Sequence, residues 1–505
     1  LVGAFNHMHI FVDPDPDPEK SWKERDRLFR MGRSSWQDYN ARLISSGGGV
    51  FSRASKSIRL TSQIKEITGL EDNEVTPNQL IRSLLGSEFD LLWFGGIGTY
   101  VGGVNESDEQ IGDRANDAIR VRSKQLRVKV IGEGANLGMT QRARIEFSMA
   151  GGRVNTDAID NSAGVNSSDQ EVNIKIALGA AVAAGKLTIK ERNAFLAKMT
   201  EEVAENCLEN NYLQTLAISL GTRRGVSDIG FQQRLMRDLE STGQLDREIE
   251  FLPDDLEIEE RRQHGQGLTR PELAVLLAYA KIDLHDELVK SKVPDDPYFA
   301  RELEGYFPAT LLKHYPDEIA SHRLRREIIA TQLSNVVINR GGSTMSVRLK
   351  EETGRAAADV VLAFSAVQAI FGLEEIFEGI DALDNKMGGQ QQLDLYLRVQ
   401  DVVRTQTSWF LRHLPVGKDL SGVIDHYRDG LSKVAAGLRS SLSDAAKADM
   451  KRDLDGLVEA GIPQSLARSL NEIRFVANAP DIVLAADMIE RPVGEVADVF
   501  HDIGG

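Results

Sequence analysis

The sequence predicts an α/β domain followed by a large all-α region, on three observations. In roughly the first third of the chain, short apolar runs such as MHIFV, DLLWF and LRVKVI lead into Asp or Gly, as strands do when they end in a ligand-bearing turn. Beyond Glu171, apolar positions recur at three- and four-residue spacing through LAVLLAYAKI, LRREIIATQLSNVVI and VVLAFSAVQAIF, which is the period of a helix. Helix starts are written into the same half, where Thr188 with Glu191 and Thr269 with Glu272 form capping-box pairs.

In chain order, Met8 to Val12 reads as a short buried strand with Asp13 at its end, and Pro14, Pro16 and Pro18 forbid further ladder pairing. An acid that ends the second strand of a nucleotide fold commonly takes the ribose hydroxyls, which makes Asp13 a candidate for that contact. Equally, Asp13, Asp15 and Asp17 are turn residues, with Asp17 capping a helix that begins at Pro18 and runs through Trp22 to Phe29. Gly47-Gly48-Gly49 could cradle an anion on its backbone N–H groups but reads better as a tight turn, and the basic SRASKSI after it offers Arg53 and Lys56 as substrate or phosphate candidates. Thr76 and Pro77 open a helix that Gly86 closes. DLLWF then enters as a strand ending at Gly95-Gly96, and GDRANDAIRV reads as charge pairing on a helix surface.

The stretch from Val128 to Val172 organises the rest. Leu126 to Ile131 is a buried strand, the turn GEGAN follows, Thr140 is equally a helix cap or a ligand contact, and a second strand-like segment ends at Asp160-Asn161. Two strand ends therefore carry glycine and amide residues, in the position where an open α/β sheet binds ligands. Neither Gly96-x-Gly98 nor Gly132-x-Gly134 completes G-x-G-x-x-G, because Val101 and Leu137 hold the third position. A strand with a terminal acid, then strands with glycine-rich ends, reads as a Rossmann-like fold without its first βα unit. Ser168-Asp169-Gln170-Glu171 reads as a capping box. REIEFLPDDLEIEERRQ and VPDDPYF look like connections, and NKMGGQQQ like an inter-helix loop.

A length of 505 residues implies several domains, and 41% hydrophobic with 27% charged residues is ordinary globular usage. The net charge of -16 argues against a nucleic-acid reader. Apolar runs such as ALGAAVAAG are too short to span a bilayer, so no membrane association is expected. A single cysteine, Cys207, makes a cytoplasmic location the default. The opening LVGAFNHMHIFVD lacks the pattern of a signal peptide and reads as the interior of a larger protein. His314, His322 and His413 are scattered along helical stretches as surface or packing residues, with no H-x-x-x-H or cysteine cluster to suggest a metal. No G-x-S-x-G elbow or GxxxxGK[ST] loop argues for a hydrolase or an NTPase.

GEGANLGMT resembles the turn usually written GANGPTT in glutamate dehydrogenases, and DNSAGVNSSDQE resembles that family's NAGGVTVSYFE. With HIFVDPDPDPEKSW, LISSGGGVFSRASKSI, WFGGIGTYV and SHRLRREIIATQLSNVVINRGG, the chain resembles the large bacterial NAD-specific glutamate dehydrogenases over most of its length. The resemblance implies NAD as cofactor, with Gly95 and Gly96 beside its ribose and nicotinamide, Asn136 on the ribose and Asn161 on the carboxamide or the substrate. It implies that Ser168 binds the substrate's side-chain carboxylate. It further implies L-glutamate, 2-oxoglutarate and ammonium as substrates and products, and a homo-oligomer. The Lys and Asp that supply the family's acid–base steps sit on a preceding domain with no counterpart here, and Lys56 is not that lysine.

The expected organisation is an NAD-binding Rossmann-like domain over residues 1–180, a helical region packing on it over 181–375, and a C-terminal helical domain over 376–505. Two other readings compete: a nucleotide-responsive assembly module with this fold and no chemistry, and a Rossmann-like methyltransferase, which would bind S-adenosylmethionine in place of NAD. The pairing of GEGAN with NSAGV favours the dehydrogenase over both.

Overall fold

Residues 1–413 and 419–504 are described by the computed structural model, and they fall into two units. The first is Leu1–Val165 with Glu248–Leu252 and Thr269–Ala274; the second is Asn166–Arg247, Pro253–Leu268 and Val275–Gly505.

Among the described residues the first unit carries every strand: β1 Gly3–Phe5, β2 His9–Val12, β3 Gly49–Ser52, β4 Ile58–Arg59, β5 Glu74–Val75, β6 Leu91–Phe94, β7 Val101–Gly102, β8 Val121–Arg122 and β9 Val130–Glu133. β1, β2 and β3 form an antiparallel sheet in that order, with Ile10 opposite both Phe5 and Phe51. β6 and β9 are parallel, Leu91 facing Val130 and Phe94 facing Glu133, and Arg153 adds a parallel bridge on the far side of Val130. β7 and β8 are parallel as well. Ile10, Val12, Leu80, Phe94, Ile131 and Met139 share one hydrophobic core, so the antiparallel sheet and the β6–β9 pair rest on common ground.

Local chemistry explains the helices here. Asp17 accepts from the Glu19 and Lys20 N–H groups and starts Pro18–Arg30. Thr76 and Gln79 form a capping box ahead of Pro77–Leu85, whose buried stripe is Leu80, Ile81, Leu84 and Leu85, and Gly86 ends it. Thr140 accepts from Ala143 N–H and starts Gln141–Met149. The glycine run is a turn: Gly47 has φ +86°, and a side chain on Gly48 would meet the Val12 carbonyl at 2.6 Å.

Five expectations are corrected. The amino-terminal strands pair antiparallel, because β1 and β2 are joined by a tight turn in which Asn6 Oδ1 accepts from Met8 and His9 N–H, and a link that short permits only a hairpin. No strand ends at Asp160-Asn161. The extended path stops near Arg153, and Asp157–Asp160 is a helical turn in which Asp160 N–H returns to the Thr156 carbonyl. Ser168 to Glu171 is no capping box, since the helix Ser162–Ala183 has already begun six residues earlier. GDRANDAIRV is not a helix surface: Arg120 is buried, pairs with Asp108 and Asp117 at 2.9 and 2.6 Å and donates to the Thr99 and Asp113 carbonyls. Within REIEFLPDDLEIEERRQ, Asp254 caps a true helix, Asp255–Gln263.

The second unit is all-helical among its described residues. The Thr188–Glu191 box starts Ile189–Lys198. Ala357–Phe371, mostly apolar, is buried on nearly every side and packs against Gly389–His413 and Leu420–Ser441. Among the described residues no single helix is long and apolar enough to cross a membrane.

Candidate functional site

Because β6 and β9 run parallel, their carboxyl ends emerge together, and the turns after them meet. Ala135 N–H donates to the Phe94 carbonyl at 3.0 Å and ties the second turn to the first. Gly95 and Gly96 follow β6 in the open, and nothing lies within 4 Å of where a Cβ on Gly96 would stand. Gly132 and Gly134 have a different task. A Cβ on Gly132 would stand 2.7 Å from the Trp93 ring, and one on Gly134 would overlap it, so both glycines exist to let the indole lie across β9.

Two amides close the arrangement. Asn161 Nδ2 donates to Asn136 Oδ1 at 3.0 Å, linking the turn after β9 to the start of the helix Ser162–Ala183. Each side-chain amide has two donors and two lone pairs, so both residues keep hydrogen-bonding capacity beyond the contact they share.

Beneath the amides lies a charged network that fixes the 133–139 turn. Glu133 is fully buried and takes Arg144 in a two-pronged contact, Nε to Oε2 at 2.6 Å and Nη2 to Oε1 at 2.9 Å. Glu133 Oε1 also accepts from Met139 N–H at 3.2 Å, so one carboxylate holds the far end of the turn. Glu133 N–H donates to Asp160 Oδ2 at 3.0 Å. Asp157 Oδ2 accepts from Leu137 N–H at 2.9 Å, and its Oδ1 lies 3.3 Å from Arg144. Leu137 has φ +66°, a left-handed backbone that an unaided leucine avoids.

Burial opposes charge on both members of the Glu133–Arg144 pair. On Arg144 the Glu133 carboxylate overcomes it and raises the pKa; on Glu133 burial wins and pushes the carboxyl up. The fork decides for the ionised form, since a protonated carboxyl could not accept both N–H groups along with that of Met139.

The structure thus brings together four of the six residues expected from sequence: Asn136 and Asn161 are in contact, and Gly95 and Gly96 adjoin their turn. Asp13 is elsewhere, at the end of β2. It is 0% exposed, and its Oδ1 accepts from both the N–H and the hydroxyl of Ser45, while Oδ2 is buried without a partner among the described residues. Ser168 belongs to the second unit, as an exposed residue of Ser162–Ala183. Arg53 donates to the Asn6 carbonyl at 2.8 Å and so braces the β1–β2 hairpin. Among the described residues no group of three or more His, Cys, Asp or Glu side chains could hold a metal ion.

Residues 1–221 match the family described as bacterial NAD-glutamate dehydrogenase, catalytic domain, and residues 265–505 match glutamate dehydrogenase, C-terminal. The chain belongs to the bacterial NAD-specific glutamate dehydrogenase family. It is 45% identical over 504 residues to the NAD-specific glutamate dehydrogenase of Halomonas elongata, and equally so to that of Pseudomonas aeruginosa; each alignment takes in 100% of this chain and 31% of the relative. The Mycobacterium tuberculosis NAD-specific glutamate dehydrogenase is 38% identical over 506 residues, covering 99% of this chain and again 31% of the relative. The chain therefore spans 31% of the length of the curated relatives it matches.

Within the family's turn, sequence reasoning missed Glu133, Arg144, Asp157 and Asp160. A usable signal existed for the last two, which stand three apart in NTDAIDN, the spacing of one helical face. None existed for the Glu133–Arg144 pair, because its members stand eleven positions apart across a turn and the start of a helix.

Proposed function

We propose that this chain is the cofactor-side portion, with a C-terminal helical region, of an NAD-dependent glutamate dehydrogenase that deaminates L-glutamate oxidatively to 2-oxoglutarate and ammonium. The observation that carries the reading is the Asn136–Asn161 contact at the shared carboxyl end of β6 and β9, beside exposed Gly95 and Gly96. These residues fit a dinucleotide: glycines leave room for a sugar and phosphates against the backbone, and amides offer the directional donors and acceptors that ribose and carboxamide require. When bound, NAD supplies the acceptor for the hydride that leaves the substrate Cα. The chain's own share is to hold and orient: Asn136 on the ribose, Asn161 on the carboxamide or the substrate, and Ser168 on the substrate's side-chain carboxylate.

The sheet also supports a Rossmann-like domain completed by a further βα unit. Among the described residues β6 pairs on one edge, with β9, and their outer face is open, Leu91 being 57%, Trp93 59% and Val130 37% exposed. Parallel strands are normally covered on both faces. A strand of the longer polypeptide beside β6, with its helix over Trp93, would supply the phosphate loop that the glycines here do not form. With the acid–base Lys and Asp assigned to a region outside this chain, the 505 residues alone do not turn over. The whole enzyme is read as a cytoplasmic homo-oligomer.

The test is NADH formation by the full-length polypeptide with L-glutamate and NAD or NADP, alongside Asn136→Ala, Asn161→Ala and Ser168→Ala. Glutamate-dependent signal with NAD, weakened at least tenfold by Asn161→Ala, is expected. No signal with any amino acid would move the chain to the nucleotide-responsive assembly module, and glutamate-dependent reduction by the 505-residue chain itself would refute the division of labour.

A further inference from the structure

We propose that Asp157 is a positioning residue of the cofactor site, holding Asn136 and Asn161 in register through the backbone, with Arg144 and Glu133 as its anchor. The inference rests on the cofactor reading of the two asparagines and adds the device that places them.

Asp157 bonds to the backbone of both segments that carry the amide pair. Its side chain takes Leu137 N–H at 2.9 Å, immediately after Asn136, and its carbonyl takes Asn161 N–H at 2.8 Å. Moving Asp157 therefore moves both amides. The side-chain contact is made to the residue whose backbone is strained: Leu137 is left-handed at φ +66°, a conformation glycine adopts freely and leucine does not. A carboxylate on its N–H offsets that preference.

Arg144 keeps Asp157 in place. Its guanidinium lies 3.3 Å from Asp157 Oδ1 and is itself fixed on Glu133, which closes the turn at Met139. A buried ion pair is an expensive way to fill space, and apolar residues of similar volume usually serve at least as well. What the ionic version adds is register: a planar fork on one carboxylate, a second carboxylate at its flank, and through these a fixed distance between two loops. The asparagines need that, because hydrogen bonding by a side-chain amide fails when the loop carrying it shifts by an ångström.

Leu137 provides a test that separates positioning from plain stability. In the full-length polypeptide, Asp157→Ala should raise KM for NAD at least tenfold while KM for glutamate changes less than threefold, and Asp157→Asn, which retains an acceptor for Leu137 N–H, should recover most of the loss. Adding Leu137→Gly to Asp157→Ala should also recover affinity, to within about threefold of the unmodified protein, because glycine adopts the left-handed backbone without help. NADH binding by fluorescence gives the same comparison without turnover. If Asp157→Ala lowers the melting temperature but leaves KM for NAD within twofold, or if Leu137→Gly restores nothing, Asp157 is structural only and the proposal is overturned. Should Asp157→Ala fail to fold, Asp157→Asn with and without Leu137→Gly still decides it: positioning predicts a residual two- to threefold rise in KM for NAD in the single variant that the added glycine removes, and a KM for NAD equal to that of the unmodified protein in both overturns it. The cofactor reading fails separately, if Asn136→Ala and Asn161→Ala both leave NAD affinity unchanged.

Discussion

Glu133→Gln tests the physical argument at its most exposed point, because it removes one charge and almost no volume. Both members of the pair are out of water, Glu133 at 0% and Arg144 at 6% side-chain exposure. Removing one partner of a buried ion pair typically costs about 3–5 kcal/mol, most of it the burden of the charge left behind. Here Asp157 at 3.3 Å remains as a flanking counter-charge, and glutamine keeps one carbonyl for the guanidinium, so the low end applies, about 3 kcal/mol. Urea unfolding followed by tryptophan fluorescence is the assay. Three of the four tryptophans, Trp22, Trp36 and Trp93, lie in the first unit, so the signal reports the unit that carries the change. The double variant Glu133→Leu with Arg144→Met should cost less than Glu133→Gln alone, since no charge is stranded. A loss below about 1 kcal/mol for Glu133→Gln, the range of exposed pairs, would refute the claim that this is a buried, ionised pair.

Lys281, half-buried in the helix Arg270–Lys290, has no acid within ion-pair distance among the described residues, and burial pushes its amine down to about 7 from 10.5. Between those values the unfolded chain holds a proton that the folded chain has lost, so stability rises with pH across the window; Lys281→Met should add about 2 kcal/mol at pH 7, allowing for partial exposure, and abolish that slope in urea titrations at several pH values. Gly134→Ala places a Cβ in the Trp93 ring, which must swing outward; with the indole already 59% exposed, the cost is about 1–2 kcal/mol, with a red shift in Trp93 emission relative to a Trp93→Phe control. Arg120→Lys replaces a buried fork with four acceptors by a point charge that cannot span them, and should cost about 2–4 kcal/mol by the same urea assay.

What the sequence shows of this molecule follows the range of each interaction. Helix starts are local and were legible: Asp17, Thr76, Thr140 and Thr188 all cap where their spacing predicts. Apolar period separated the strand-bearing first unit from the helical remainder. Pairing direction was not legible, because it depends on what closes each link, and the Asn6 turn that makes β1 and β2 a hairpin has no strong sequence mark. Asn161 reads as an amide at a strand end, and the structure sets it against Asn136 from a helical turn instead. Which residue types meet at that turn is a matter of side-chain chemistry, whereas whether a strand or a helix delivers them depends on tertiary pairing. Arg120 shows the reverse. A cation among acids looks like a solvated surface, and only tertiary structure reveals that two carboxylates and two carbonyls accompany it into the core.

Asp13 is where sequence and structure make opposite predictions, and one variant pair separates them. A ribose contact needs a carboxylate that can accept from two hydroxyls, so Asp13→Asn would weaken NADH binding about as much as Asp13→Ala. The structure instead shows a carboxylate fully removed from solvent, spending Oδ1 on the N–H and hydroxyl of Ser45 and so pinning the loop before the glycine turn to the end of β2. That task survives the change to asparagine, whose carbonyl can accept both bonds, and fails in alanine. Hydrogen bonds to a charged group contribute about 1.5–3 kcal/mol each, and with some relaxation of the exposed loop Asp13→Ala should cost about 3 kcal/mol. Asp13→Asn should lie within about 1 kcal/mol of the parent, with NADH affinity within about twofold, since it removes a buried charge whose second oxygen has no partner. A tenfold loss of NADH affinity in a stably folded Asp13→Asn protein would return this acid to the ribose and show that the Ser45 contact opens when the dinucleotide binds.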